Sequence, residues 1–332
     1  MAGIRGLRKI QIGAETTAGT AVAATTIWRG MGTIEDQREV LFVEEDIAYI
    51  SKIDRTLTPM LQAAISMDEV VANFEQLPYM LEAGVQTVTP TTEGSGYLYT
   101  YTLPTTAKNT INTYTIEGGD DQEAERMEYA FVQSLTIGGE AGGPLNMSAE
   151  WVGRQVAVNA FTGALSVPSV EDIPFSVGTL YIDDVTSSHG TTPISSSLIS
   201  ASLKLTTGWV PRFTLSGQKY FSSHEMDANS LEAVLELTFL HDSTAANEKV
   251  DWRAETARNI RLQWLGTALT TAGSTFSNKA LEIDLTGKYE TIEAIDETEG
   301  NDVITASFRG RYNATAANFG IIRVVNNLSA LT

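Results

Sequence analysis

Cysteine is absent from the 332-residue chain, so no disulfide and no thiolate metal site can contribute to its fold or chemistry. That absence fits a reducing compartment. Histidine is nearly as scarce. His189, His224 and His241 stand far apart, two of them in the polar runs "SSHG" and "SSHE", and no HExxH spacing occurs. Surface or turn histidine is the expected reading of each. The phosphate loops GxGxxG and GxxxxGKS and the nucleophile elbow GxSxG are also missing, which leaves nucleotide chemistry and elbow-type serine hydrolysis without a foothold. Ser223, His224 and Glu225 adjoin in sequence, but the members of a catalytic triad meet through the fold and seldom through adjacency. No apolar run reaches the length of a membrane span, and the basic start "MAGIRGLRKIQIG" lacks the apolar core of a signal peptide. The expectation is a non-enzymatic chain made in the cytoplasm, with no cofactor, no metal and no membrane partner.

Positive charge is in short supply. Lysine and arginine number 22 against 41 aspartates and glutamates, a formal charge of −19. Such a surface repels nucleic acid and anionic membranes, because gripping phosphate needs the opposite sign. Solubility accounts for it equally well as a need to lie close to DNA without sticking. Composition does not choose between the two.

Hydrophobic residues make up 42% of the chain, enough for a substantial core, and the length suits two ordinary domains or one large β domain. Short alternating runs dominate. "GYLYTYTLP", "TINTYTIEGG", "LEAVLELTFL", "NIRLQWLG", "KALEIDLTGKY" and "VITASFRGRY" read as strands, and "VQSLTIGGEAGGPLNMSAEW" reads as a hairpin around a glycine-rich loop. Two segments read as helices. "NFEQLPYMLEAGV" (Asn73–Val85) has a capping Asn73 and Gly84 as a stop, with Pro78 implying a late start or a kink; "NEKVDWRAETAR" (Asn247–Arg258) offers Val250 and Trp252 for burial. Each follows a strand-like run. "MLQAAISMDEVVANFE" (Met60–Glu75) echoes "VLELTFLHDSTAANEK" (Val234–Lys249), and "SLTIGGEAGGPLNMS" echoes "SLKLTTGWVPRFTLS" in a different register. These echoes suggest an internal duplication. The proline- and serine-rich stretch Thr162–Ser176 is the natural joint, dividing the chain into residues 1–165 and 166–332, and Val185–Ser200 reads as an exposed polar loop.

Three runs concentrate the acid: Phe42–Tyr49, Glu117–Glu125 and Ala294–Asp302. Carboxylates in a loop suit calcium, but none of the three has EF-hand spacing, so solvated acidic loops are expected. Paired carboxylates on a β scaffold also suit glycoside hydrolysis, although no sugar platform is evident.

One stretch has almost no chemistry and a distinctive pattern. "RKIQIGAETTAGTAVAATTIWRG" resembles the start of the tail tube proteins (major tail proteins) of long-tailed, non-contractile bacteriophages, in which G-x-E-x-x-x-G-T-x-V follows a short basic strand; Gly13, Glu15, Gly19, Thr20 and Val22 occupy those positions. "DRTLTPMLQAAISMDEVVANFEQLPYMLEAGV" is similar to that family's strand and helix with Leu-Pro and a closing Gly, and "VQSLTIGGEAGGPLNMSAEWVGRQ" to its strand pair ending in Gly-Arg. The likeness covers about the first half, and the second half departs from the shorter members. It implies a mainly β fold of two antiparallel sheets, sandwich or barrel, with one or two short helices. Residues 1–165 would form one tube-like domain with an N-terminal stacking arm, and 166–332 a second tube-like domain or a decoration.

The same resemblance implies rings, trimers of pseudo-sixfold symmetry or hexamers, stacked into a conduit for DNA in the virion tail. The partners would be further copies of the chain, other tail proteins at the tube ends, and DNA passing without specific binding. Asp120, Asp121, Glu123 and Glu125 are the candidate lumen or rim acids; Gly13, Glu15, Thr16, Thr17, Gly19, Thr20 and Val22 form the candidate stacking arm. Gly13–Trp28 and Glu35–Arg55 are expected to order only on assembly. The competing expectations are a tail terminator or capsid decoration protein, or a carbohydrate-binding or carbohydrate-cleaving β-sandwich.

Overall fold

A computed structural model describes residues 3–331. Half of the chain is strand, and two helices occur among the described residues. The first half begins with β1 (Lys9–Ala14), β2 (Thr26–Trp28), β3 (Gly32–Asp36) and a hairpin of β4 (Leu41–Glu44) and β5 (Ile53–Leu57). It continues through β6 (Ala63–Val71), α1 (Leu77–Gly84), β7 (Thr91–Glu93) and β8 (Gly96–Thr102). It ends with β9 (Tyr114–Gly119), β10 (Ala124–Glu140), β11 (Leu145–Gly153) and β12 (Val156–Asn159).

The second half begins with β13 (Gly178–Asp184), β14 (Pro193–Ile194), β15 (Leu198–Thr206) and a hairpin of β16 (Trp209–Arg212) and β17 (Ser223–Met226). There follow β18 (Glu232–Leu240), α2 (Ser243–Arg253), β19 (Arg258–Ala268) and β20 (Asn278–Ile292), then β21 (Asp296–Thr298), β22 (Asn301–Gly310) and β23 (Gly320–Asn326).

All pairings are antiparallel, and they repeat. In the first half β1 pairs with β2 and β9, β9 with β10, β10 with β12 and β11, β11 with β6, and β6 with β3. In the second, β13 pairs with β14 and β19, β19 with β20, β20 with β23 and β22, β22 with β18, and β18 with β15. The two hairpins, β4–β5 and β16–β17, occupy the same place in each series. The duplication expected from the sequence is therefore present in the order of pairing. The echoes are not its register, however. The second one joins β10 to β15, which are hydrogen-bonded neighbours and not counterparts.

Each half folds around one long strand that belongs to two sheets. The N-terminal part of β10 lies between β9 and β12, and its C-terminal part lies between β11 and β15. The change occurs at a bulge where the register shifts between Met127 and Ala130, and Tyr129 takes φ 57°. The two sheets face each other. Ile10, Ile12, Ile116 and Met127 from one meet Ile34, Ile65, Met67 and Trp151 from the other in a core continuous with that of the second half. The pairings branch at β10 and β20 but close no circuit among the described residues, so the sheet keeps free edges.

The helix α1 starts late, at Leu77 with Pro78 in its first turn, because proline is tolerated only there. The Asn73 side chain accepts from Gln76 N (2.8 Å), a turn that precedes the helix and does not cap it. The second helix begins at Ser243, ahead of the expected start, because Asp242 caps it by accepting from Thr244 N and Ala245 N. The joint between halves, residues 160–177, is irregular but tied down: Ile173 is buried and its N–H donates to Ala72 O.

The opening stretch is stitched to its own chain. Glu15 is buried and accepts from Gly19 N (2.7 Å), Thr113 Oγ1 (2.7 Å), Thr115 Oγ1 (3.0 Å) and Tyr129 N (2.9 Å). The last of these N–H groups is the one that the bulge in β10 withdraws from the ladder. Gly19 has φ 79°, a left-handed turn that suits glycine, and a side chain there would run into Arg154 and Tyr129. Glu15→Ala would leave the Tyr129 N–H buried without an acceptor. It is expected to cost about 3 kcal/mol in chemical unfolding, against about 1 kcal/mol for exposed Glu44→Ala or less.

Candidate functional site

One long sheet has a broad outward face. Its strands run β3, β6, β11, the C-terminal part of β10, β15, β18, β22 and the C-terminal end of β20. Alternation fixes what this face shows. Ile65, Trp151, Leu135, Leu203, Leu235 and Phe308 point into the core, so their neighbours in sequence point out. Most of those neighbours are polar; Ala64 and Val234 are small or medium apolar exceptions, and Val152 is covered by the β16–β17 hairpin. The hydroxyls of Ser66, Ser134, Thr136, Ser202, Thr305 and Ser307 alternate with carboxylates, and no large apolar side chain interrupts the centre. A trough of about 410 Å³ crosses it, lined by Glu69, Thr136, Ser148, Ser202, Glu236 and Thr305 among others.

The charge on this face is negative. Glu35, Glu69, Glu150, Glu236 and Glu293 lie on it with Lys204 and Arg309. Arg309 is already neutralised between Glu232 (2.7 Å) and Glu290 (2.9 Å). Glu150 accepts from Ser66 (2.7 Å) and Glu69 from Asn146 (2.7 Å), so hydroxyl and amide donors orient the carboxylates without removing their charge. The sequence did not single out these acids.

The acids that it did single out lie elsewhere. Asp120 and Asp121 form the β9–β10 turn, where Asp120 accepts from Gln122 N (2.8 Å) and Asp121 from Ile4 N (2.9 Å). Asp120, Glu123 and Glu125 border a groove that also includes Arg8, Gly32 and Thr33, beside the unpaired edge of β3; Asp121 does not line it. Glu125 has its carboxyl pushed up by burial and then by Glu123 and Asp36. Of the candidate arm, Gly13 lies in β1, Glu15 is held by β9 and β10, and Val22 N donates to Thr115 Oγ1 (3.0 Å), whereas Thr16, Thr17 and Thr20 are exposed.

The two hairpins differ. The β16–β17 hairpin is clamped onto the first half through Trp209, Phe221, Tyr129, Phe131 and Val152. Arg154 lies 4.3 Å over the Tyr129 ring and donates to Phe221 O (3.0 Å) and Ser222 O (2.9 Å). The β4–β5 hairpin has no such seat. Its strands bond only to each other, and Leu41, Phe42 (64% exposed), Tyr49 (73%), Ile50 and Leu57 all face outward.

No cluster of three or more metal-ligating side chains occurs among the described residues. His189 and His224 both have lowered pKa values from burial, His224 within the aromatic cluster of the clamped hairpin. The buried carboxylate Asp284 is pushed up by burial but held low by Arg261 (2.6 Å) and Arg323 (2.6 Å), an internal ion network. Lys279 ties the joint to both halves through Glu75 (2.6 Å) and Glu171 (3.1 Å).

Glu82 on α1 has a strongly perturbed carboxyl. Burial raises its carboxyl to about 7, against bonds from Asn112 and Tyr114 that favour the ionised form. A raised carboxyl binds its proton more tightly in the folded state. Its contribution is therefore full below the unfolded value and is lost as pH rises from about 4.5 to about 7. Glu82→Gln is expected to flatten that part of the stability–pH curve, by on the order of 3 kcal/mol, in denaturant titrations at a series of pH values. No protein-family model matches the chain, and no curated protein matches it in sequence.

Proposed function

We propose that this chain is the tail tube subunit of a long-tailed, non-contractile bacteriophage, built from two tube-type domains in tandem. Copies join edge to edge into rings, and rings stack into a conduit for DNA. The observation that carries the reading is the ladder between the halves. Ser134–Glu140 of β10 pairs with Ser200–Thr206 of β15, so the sheet of one repeat continues into the sheet of the next. A repeat that adds to its neighbour inside one chain is built to add again between chains, since an unpaired sheet edge is a template for a further strand. Three copies would place six equivalent sheets around one bore.

In this reading the bore is lined by the polar face of the long sheet. Carboxylates such as Glu150 and Glu236 repel phosphate, and serine and threonine hydroxyls hold it only weakly, so DNA meets no deep well along the path. The hairpin acids Asp120, Asp121, Glu123 and Glu125 fall at the seam beside β3. Contact between rings falls to the β4–β5 hairpin, whose exposed Phe42 and Ile50 need cover. Gly13–Val22 serves mainly to brace β10.

Electron microscopy of the purified full chain tests the assembly: stacked rings of threefold symmetry are expected, and a monomer at every concentration and salt refutes it. In phage particles, Glu150→Lys with Glu236→Lys is expected to leave tubes intact and slow genome release about tenfold. Unchanged release kinetics would remove this face from the bore.

A further inference from the structure

The internal repeat specifies a register for contact between molecules, a deduction that rests on the ring-forming reading above. Two correspondences define it. The β10–β11 ladder skips Gln133, between Val132 opposite Trp151 and Ser134 opposite Glu150. The β20–β22 ladder skips Glu290, between Tyr289 opposite Phe308 and Thr291 opposite Ser307. Gln133 and Glu290 are thus counterparts, and Ser134–Glu140 corresponds to Thr291–Glu297.

The second correspondence comes from the other side of the sheet. Trp151 lies opposite Ile65, and Ile65 opposite Ile34. Phe308 lies opposite Leu235, and Leu235 opposite Leu203. Ile34 is therefore the counterpart of Leu203, and β3 of β15. Inside the chain Leu203 pairs with Ile137, whose counterpart is Ala294.

We propose that residues 32–36 of one molecule add as an antiparallel strand to residues 292–296 of a second copy, with Ile34 opposite Ala294. Thr33 then faces Ile295, and Glu35 faces Glu293. Both segments are paired on one side only among the described residues: β3 with β6, and the 291–298 run with β22. Ile295 is left about half exposed. Ile34 and Ile292 are buried toward the sandwich, so the joined ladder keeps the apolar face inward, as Leu135 and Leu203 do in the internal one.

The register has a consequence that a generic edge contact lacks. Glu35 and Glu293 meet directly, whereas the internal ladder has Lys204 opposite Thr136 at the counterpart positions. Like charges facing across a ladder disfavour it. The seam between molecules is thereby weaker than the seam within one, which restrains premature closure.

The absence of cysteine gives a clean background for the test. Full-length chains carrying Thr33→Cys with Ile295→Cys are joined by oxidation or a short bis-maleimide and run on denaturing gels. Thr136→Cys with Lys204→Cys serves as the internal control. Thr33→Cys with Thr291→Cys is the out-of-register pair. Linked species larger than dimers are expected from the in-register pair at about tenfold the yield of the other. Glu35→Lys is expected to lower the concentration needed for assembly about threefold. Rings visible by microscopy with equal linking of both pairs, or with no effect of Glu35→Lys, overturn the register but not the ring reading. No association in any chain, with the internal control linked, overturns both.

Discussion

The ladder between β10 and β15 is the constraint from which the rest of the architecture follows. Through it one sheet passes from the first half to the second, and one core spans both. Backbone donors and acceptors that would otherwise face water as an aggregation-prone edge are satisfied internally. The joint between repeats can then be irregular, since orientation is held by the sheet and by the Lys279 cluster and not by the linker.

A long strand shared by two sheets has to bend, and the bend needs a partner for the backbone group that it strands. Glu15 supplies that partner. It brings four donors together from the opening loop, β9 and the residue before it, and β10. The small residues around it follow from the same need, because a loop lying flat on β1 has no room for large ones: at Gly13 a side chain would meet the Ala23 carbonyl. In the second repeat, the β16–β17 hairpin is held down on the first half by Arg154 and the aromatic cluster. The β4–β5 hairpin leaves its own aromatics, Phe42 and Tyr49, exposed and makes no comparable insertion among the described residues.

Alternation made the β class legible, and Pro78 foretold the late start of α1. The repeat was legible only as a suspicion. Its strands share pairing and burial but few identities, and the gapless echoes set Ala63 beside Leu237 where the ladders make Ala233 its counterpart. Glu15 gave no sign of burial, since one acid in a run of Thr, Ala and Gly looks solvated until β9 and β10 close over it. The acids of the open face were missed for a related reason. They come about one to a strand, separated by core residues, and only strand pairing gathers them; acids contiguous in sequence belong to turns and edges, where Asp120 and Asp121 are found.

Carrying two repeats on one polypeptide also changes how a ring would come together. In the proposed ring every second junction would be made during folding, at the effective concentration of a tethered segment, with no encounter between molecules. Closure would then depend on fewer collisions, and partial arcs would be fewer and shorter-lived. Covalent linkage further frees the two kinds of junction to diverge. One can be tuned for permanence as part of the folded chain, while the other is left adjustable to the time and place of construction.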